Sequence, residues 1–202
     1  MTLAKVFWRL FVLAYTVFLT ACAHHIQVNP DVADIRAVQG VEKSPLVVAY
    51  HIPEQQMLKE VNTPGGGGDT VSYEPYRDAE AALNTVLSRK FERVYSITSP
   101  DDSAYLAEKN ISYIFLPVIV TASSSSSVFT WIPSNFEVTL TCKVLDTKGN
   151  EVWESTVQGL GEADSGEYSK DFGIAGRRAM KDAFLKMLQE INTEQAFNPG
   201  AK

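Results

Sequence analysis

Cysteine and histidine are scarce in this chain of 202 residues, two of the first and three of the second, and each scarcity closes a route. Two cysteines allow one disulfide at most, so stability has to come from a packed core. His24 and His25 are adjacent, with no further His, Asp or Cys close by, and do not make a closed metal site; none is expected. GxSxG, HExxH and a paired-carboxylate signature are all missing, which leaves His51 without a catalytic partner motif. The expectation is a protein without catalytic residues and not an enzyme. Gly65 to Gly68 are four consecutive glycines, yet no GKS or GKT follows and no GxGxxG spacing is present, so a phosphate loop is excluded. Positive charge is also in deficit, with 18 Lys and Arg against 24 Asp and Glu, which argues against a nucleic-acid partner.

A long apolar run is lacking too. Leu10 to Leu19 is shorter than the roughly 20 residues a helix needs to span a bilayer. It follows Lys5 and Arg9 and ends in small residues, the order of a secretory signal. Removing residues 1–21 takes away both positive charges and no acid, leaving 16 basic against 24 acidic residues and a formal charge of −8. The full chain is 45% hydrophobic and 10% aromatic, the composition of a globular protein.

Leu19-Thr20-Ala21-Cys22 resembles the bacterial lipobox. The resemblance implies cleavage between Ala21 and Cys22, a covalent diacylglycerol and an N-acyl chain, typically palmitate, on Cys22, and no other cofactor. Each buried acyl CH₂ contributes about 0.8 kcal/mol, so several chains make a durable anchor. Ala23 stands where an Asp would imply inner-membrane retention, so the implied destination is the inner leaflet of the outer membrane, facing the periplasm. With Cys22 lipidated, Cys142 is alone; it alternates with Phe136, Val138, Leu140 and Val144 on one face of a strand and reads as a packed thiol.

The division expected is a signal peptide at 1–21, a tether at 22–43, one α/β domain at 44–192 and a loose tail at 193–202. Pro45 to Pro53 reads as an interior strand, apolar on both faces. Residues 54–74, with the glycine tract, read as a long flexible loop. Pro75 opens a helix to about Phe91, whose apolar stripe runs through Tyr76, Ala79, Ala82, Leu83, Val86 and Leu87. A short strand Arg93 to Ile97, a short helix ending near Lys109 and the apolar strand Ile111 to Thr121 follow, with Pro117 suggesting a bulge or an edge-facing position.

Ser123 to Ser127 read as an excursion between two strands, and Phe129, Trp131 and Ile132 after it as hairpin packing or as an apolar tip that binds a partner. Asn135 to Leu145 and Glu151 to Gly161 form a hairpin across Asp146 to Asn150. Lys170 to Ile191 is an amphipathic helix with Phe172, Met180, Phe184 and Met187 on one arc, and with Gly173, Gly176 and Ala179 allowing close approach to the sheet. The fold expected is α+β: a mixed parallel and antiparallel sheet of about five strands packed against two main amphipathic helices.

This order of elements, behind a lipobox, resembles the small periplasmic α/β lipoproteins typified by YajG, PelC and the curli-assembly protein CsgG. The pieces that carry the resemblance are Pro45 to Pro53, Ala79-Glu-Ala-Ala-Leu83 leading into Phe91-Glu-Arg-Val94, the Asp146 to Glu154 hairpin and the closing helix. It implies a non-enzymatic accessory or scaffold in an envelope assembly or export complex, with a membrane contact through the lipid, envelope proteins as partners and self-association. A second reading is a carrier of a lipid or glycan in a cleft lined by Tyr113, Phe115 and Trp153. A hydrolase using a serine with His51 is the third.

Overall fold

The computed structural model describes residues 23–64, 70–125 and 132–198. Among them, eight strands form two sheets. The larger is built from β2 (Ser44–Tyr50), β5 (Phe91–Ser96), β6 (Tyr113–Ser124), β7 (Asn135–Asp146) and β8 (Glu151–Glu162), in the order β5-β2-β6-β7-β8. β2 pairs parallel with both β5 and β6, and β6, β7 and β8 follow as antiparallel neighbours. The parallel pairs need crossovers, supplied by α3 (Pro75–Lys90) between β2 and β5 and by α4 (Ser103–Glu108) between β5 and β6. The mixed α/β architecture expected from the sequence is the one observed.

Two helices cover one face of this sheet. α3 buries Tyr76, Ala79, Ala82, Leu83, Val86 and Leu87, the stripe its periodicity marks. α6 (Ile174–Thr193) buries Met180, Phe184, Met187, Leu188 and Ile191. At about 1.5–3 kcal/mol for each large apolar side chain, that one stripe is a main contribution to the core. Phe172, expected on the same arc, precedes the helix and is 44% exposed, because the chain breaks at Gly173 after the separate turn α5 (Ser165–Tyr168).

The contact between α6 and the sheet is made at backbone level. A Cβ on Gly159 would lie 2.1 Å from the Ala179 carbonyl oxygen, and one on Gly161 2.0 Å from that of Ala175. Only glycine on β8, facing Ala175, Ala179 and Ala183 on the helix, lets the two elements come this close. Gly173, expected to face the sheet, lies instead against Gln27, while Gly176 lies against Val28 with the Phe136 ring of β7 3.5 Å from where a Cβ would be.

α6 also closes an edge. β8 ends the sheet, so alternate N–H and C=O groups on its outer side have no strand partner. Arg178 donates to the Glu162 carbonyl (2.6 Å), Asp182 accepts from the Leu160 N–H (3.0 Å) and Lys186 donates to the Gln158 carbonyl (2.8 Å). Side chains four apart on the helix thus serve residues two apart on the strand.

The smaller sheet was not expected. β1 (Ala23–His25), β3 (Val61–Pro64) and β4 (Thr70–Tyr73) assemble in the order β1-β4-β3, with Val71 and Tyr73 fully buried. The long loop read into residues 54–74 is therefore corrected to a short helix, α2 (Glu54–Met57), and a hairpin. Its strands of four residues are too short to show alternation.

The tether read into 22–43 is corrected likewise. Ile26, Val28 and Ile35 are buried, the last on α1 (Val32–Ala37). The Val28 N–H donates to Asp78 on α3 (2.9 Å), and Arg177 on α6 donates to the Gln27 carbonyl (3.1 Å). Burial raises the Asp78 carboxyl above its usual range, and the bond from Val28 opposes that. No periodicity marks this segment, because it is held by two helices that arrive much later in the chain.

Candidate functional site

β6 and β7 form the longest hairpin of the described residues, twelve rungs from Tyr113↔Asp146 to Ser124↔Asn135. β2 stops at Tyr50, opposite Phe115, so the following residues of β6 run past its end. Pro117, which has no N–H to offer a neighbour, falls there, as an edge-facing proline should. The open side of the strand is then served by tyrosines and threonines. Tyr76 Oη accepts from the Ile119 N–H (3.1 Å), the Tyr73 hydroxyl meets Thr121 Oγ1 (2.7 Å), and Ser123 Oγ donates to Thr63 Oγ1 (2.6 Å). Ser123 and Ser124, read as part of an excursion, are the last rungs of β6.

Alternation along this hairpin gives the sheet two unlike faces. Phe136, Val138, Leu140, Cys142 and Val144 point under the helices and are buried. Burial pushes the Cys142 thiol up to about 12, that of an inert packed group. On the other face α4 covers Ala49 and Ile114, packing its own Leu106 against them together with Ile97 and Ile111. Beyond Leu116 nothing among the described residues covers it. Val118 is 50% exposed, Val120 60% and Leu160 62%. Between them lie Thr141 and Thr156, hydroxyl to hydroxyl at 2.8 Å, and Glu137 with Gln158 at 3.1 Å. Val118 and Val120 on β6 are thus separated from Leu160 on β8 by the polar residues Glu137, Thr139 and Thr141 of β7, an open face of mixed apolar and polar character.

Cys22, Ala21, Phe129 and Trp131, the lipidation, cleavage and tip residues expected from the sequence, lie outside the described residues, as do Gly65 to Gly68. Ile132 is described and is 8% exposed. The chain leaves it through Ser134, whose N–H donates to the Ser124 carbonyl (3.1 Å) and whose carbonyl accepts from Ala163 (2.9 Å). The exposed strip on β6 and β8 was missed in the sequence. The signal was there: Val118 and Val120 alternate with Pro117 and Ile119 and would have to face somewhere.

The cleft expected between Tyr113, Phe115 and Trp153 is filled. Phe197, from the segment read as a loose tail, is fully buried with its ring centroid 5.7, 5.5 and 5.4 Å from those three. Lys90 fixes this segment. Its side chain is wholly buried and its Nζ donates to Asn192 Oδ1 (3.3 Å) and to Asn198 Oδ1, while burial lowers its pKa.

A different crevice is open. At the carboxyl ends of β2 and β5, where successive crossovers leave in opposite directions, a cavity of about 400 Å³ is lined by Tyr50, Ile52, Met57, Leu58, Glu80 and Thr98 among others. Such a position is where open α/β sheets bind ligands. Tyr50 Oη donates to Glu80 Oε1 (3.1 Å), and burial raises its pKa against a hydrogen bond with Ser96, with Glu80 adding to the rise. His51 lies at the same end, its Nδ1 2.9 Å from the Ile97 carbonyl. That contact ties the ring to the neighbouring strand, as expected of a strand-end residue.

No family model matches the chain, and no curated protein matches it. Solved structures do. Protein XCC0632 from Xanthomonas campestris, of the DUF330 family, is similar with a TM-score of 0.45 and 13% identity over 89% of this chain and 95% of that one. A PelC dodecamer from Paraburkholderia phytofirmans has a TM-score of 0.37 and 16% identity over 73% and 95%. A protein from Helicobacter pylori, described as a neuraminyllactose-binding hemagglutinin homolog, has a TM-score of 0.46 and 9% identity over 81% and 91%. Among the described residues, no helix is long and apolar enough to cross a membrane.

Proposed function

We propose that this chain is a non-enzymatic, lipid-anchored accessory of the bacterial outer membrane, held by acyl chains on Cys22 in the inner leaflet and docking an envelope protein of an assembly or export complex. The observation that carries the docking half is the sheet face that α4 leaves open, with Val118 and Val120 exposed on β6 and Leu160 on β8. A partner's surface laid on this face would take their apolar area out of water. The anchoring half rests on the lipobox order at Leu19 to Cys22.

The test is mild crosslinking of the full-length protein in cells, detergent extraction, sizing and mass spectrometry, beside Cys22→Ser and Val120→Asp. A discrete complex is expected, lost in both variants while the Val120→Asp chain stays folded. A lone monomer in all three overturns the docking reading.

The crevice beside Tyr50 and Glu80 favours a second reading, carriage of a small ligand. Its volume lies within the range of roughly 300–1,000 Å³ usual for small-molecule sites, and it joins an apolar wall to a hydroxyl–carboxylate pair. Native mass spectrometry of the purified protein would show a retained ligand, lost in Glu80→Ala.

A further inference from the structure

The crevice at the carboxyl ends of β2 and β5 is walled by four elements. Tyr50 comes from β2, Met57 and Leu58 from α2 and the residue that caps it, Glu80 from the second turn of α3, and Thr98 from just past β5. Its base is fixed by the sheet: the Ile97 N–H donates to the Tyr50 carbonyl (3.0 Å), and His51 Nδ1 lies 2.9 Å from the Ile97 carbonyl. The α2 wall is held by its own main chain, with the Leu58 N–H donating to the Glu54 carbonyl (3.0 Å). One side of the crevice is apolar and only partly used by the core. Ile52 and Met57 are half-buried against it, and Leu58 is 59% exposed.

The polar side is acid without base. Glu54 and Glu80 line the crevice, and no Lys, Arg or His does. Elsewhere this fold pairs its acids: Glu74 with Arg77 (2.5 Å), Glu167 with Arg178 (2.6 Å) and Asp34 with Lys181 (2.7 Å). Among the described residues neither Glu54 nor Glu80 has an ion-pair partner, and Arg77, one turn before Glu80 on α3, is engaged by Glu74. Glu80 Oε1 accepts from Tyr50 Oη (3.1 Å), which steadies the carboxylate. An ionised carboxylate has about four lone-pair sites, so most of its accepting capacity is left.

A lining of this kind selects by charge. A phosphate or carboxylate brought into it would meet two like charges, and a hydroxyl would gain ordinary hydrogen bonds. An ammonium group brings donors alone and the opposite charge. From the meeting of an apolar wall with two uncompensated carboxylates, we infer that the crevice binds a small organic cation, a protonated amine on a hydrocarbon body. The amine lies at Glu80 and Glu54 and the body against Ile52, Met57 and Leu58. The inference rests on the reading of this crevice as a small-ligand site and adds the class of ligand. Glu80, half-buried and tied to Tyr50, is the stronger contact; Glu54, exposed at the rim, is the weaker, because water and salt screen it.

The experiment uses the full-length protein in phosphatidylcholine nanodiscs, with empty nanodiscs as the reference, and three probes that share one ring: cyclohexylmethylamine, cyclohexylmethanol and cyclohexanecarboxylate. Calorimetric titration at neutral pH is expected to rank them in that order, with the amine bound about tenfold more tightly than the alcohol. In Glu80→Gln, which keeps an acceptor for Tyr50, the amine should fall to the level of the alcohol while the alcohol is unchanged. Glu54→Gln should weaken the amine by a smaller factor. Alcohol or carboxylate bound as tightly as the amine, or an amine preference that survives both substitutions, overturns the cation assignment and leaves the ligand site standing. Native mass spectrometry of the purified protein separates the two readings further: a retained amine supports the class, and a retained neutral or anionic ligand overturns the class alone. No binding of any probe, with nothing retained, overturns the site and the class together.

Discussion

The two faces of the five-stranded sheet were made by one alternation and have opposite fates. Under α3 and α6 the strand side chains meet helices so closely that Gly159 and Gly161 touch helical backbone. On the other face α4 covers Ala49 and Ile114 and then stops, leaving Val118, Val120 and Leu160 exposed. The first face consumes apolar surface in folding, and the second keeps it available. The difference teaches where a fold that needs no more core can hold apolar side chains in reserve.

That comparison is open to attack from the covered side first. Phe197→Ala empties the space among Phe91, Tyr113, Phe115 and Trp153, and is expected to cost about 3–5 kcal/mol by chemical denaturation. A loss under 1 kcal/mol would mean that the final segment is an accessory to the covered face. Gly161→Val forces side-chain atoms into the Ala175 carbonyl and should cost about 3 kcal/mol, the upper end for overpacking. Gly149→Ala provides the contrast, because its cost comes from a φ of +84° alone, with nothing within 4 Å of the new Cβ.

On the open face, Val118→Ser and Val120→Ser should each shift stability by no more than about 0.5 kcal/mol in the isolated chain. A loss of 2 kcal/mol at either would show that this face is closed by something the isolated fold itself supplies. The smallest effect is electrostatic and sits at the rim of the covered face. Glu167, paired with Arg178 at 2.6 Å and hydrogen-bonded by the Asp164 N–H, has its carboxyl pulled from 4.5 down to about 2. A depressed carboxylate stabilises the fold above its unfolded value, and that contribution fades as pH falls from about 4.5 through 2. Carbon NMR of the side chain should give a midpoint near 2; one at 4 or above would mean the pair is not formed in solution.

The covered face was the legible one. Tyr76 to Leu87 and Met180 to Ile191 repeat at helical spacing, and Phe136 to Val144 alternate, so local pattern alone located α3, α6 and β7. Ile26, Val28 and Phe197 could not be read in this way. Each is a single apolar residue in an aperiodic segment, and each is held by partners distant in sequence: the Ile26 N–H donates to the Ser72 carbonyl and the Val28 N–H to Asp78, and Lys90 holds the last through Asn198. The open strip was hidden for the opposite reason. Val118 and Val120 look like core until the shortness of α4 is known.

The guard along β8 works as a vernier. Four residues of α-helix advance about 6.0 Å, and two residues of antiparallel strand about 6.8 Å. Arg178, Asp182 and Lys186 reach Glu162, Leu160 and Gln158 while the misfit is small. By the next step it has grown to about 2 Å, and Glu190 meets the Ser155 hydroxyl at 3.4 Å in place of a main-chain group. A straight helix can therefore seal only a short length of strand, and the sheet is left with a sealed end towards Glu162 and a receptive end towards Glu151.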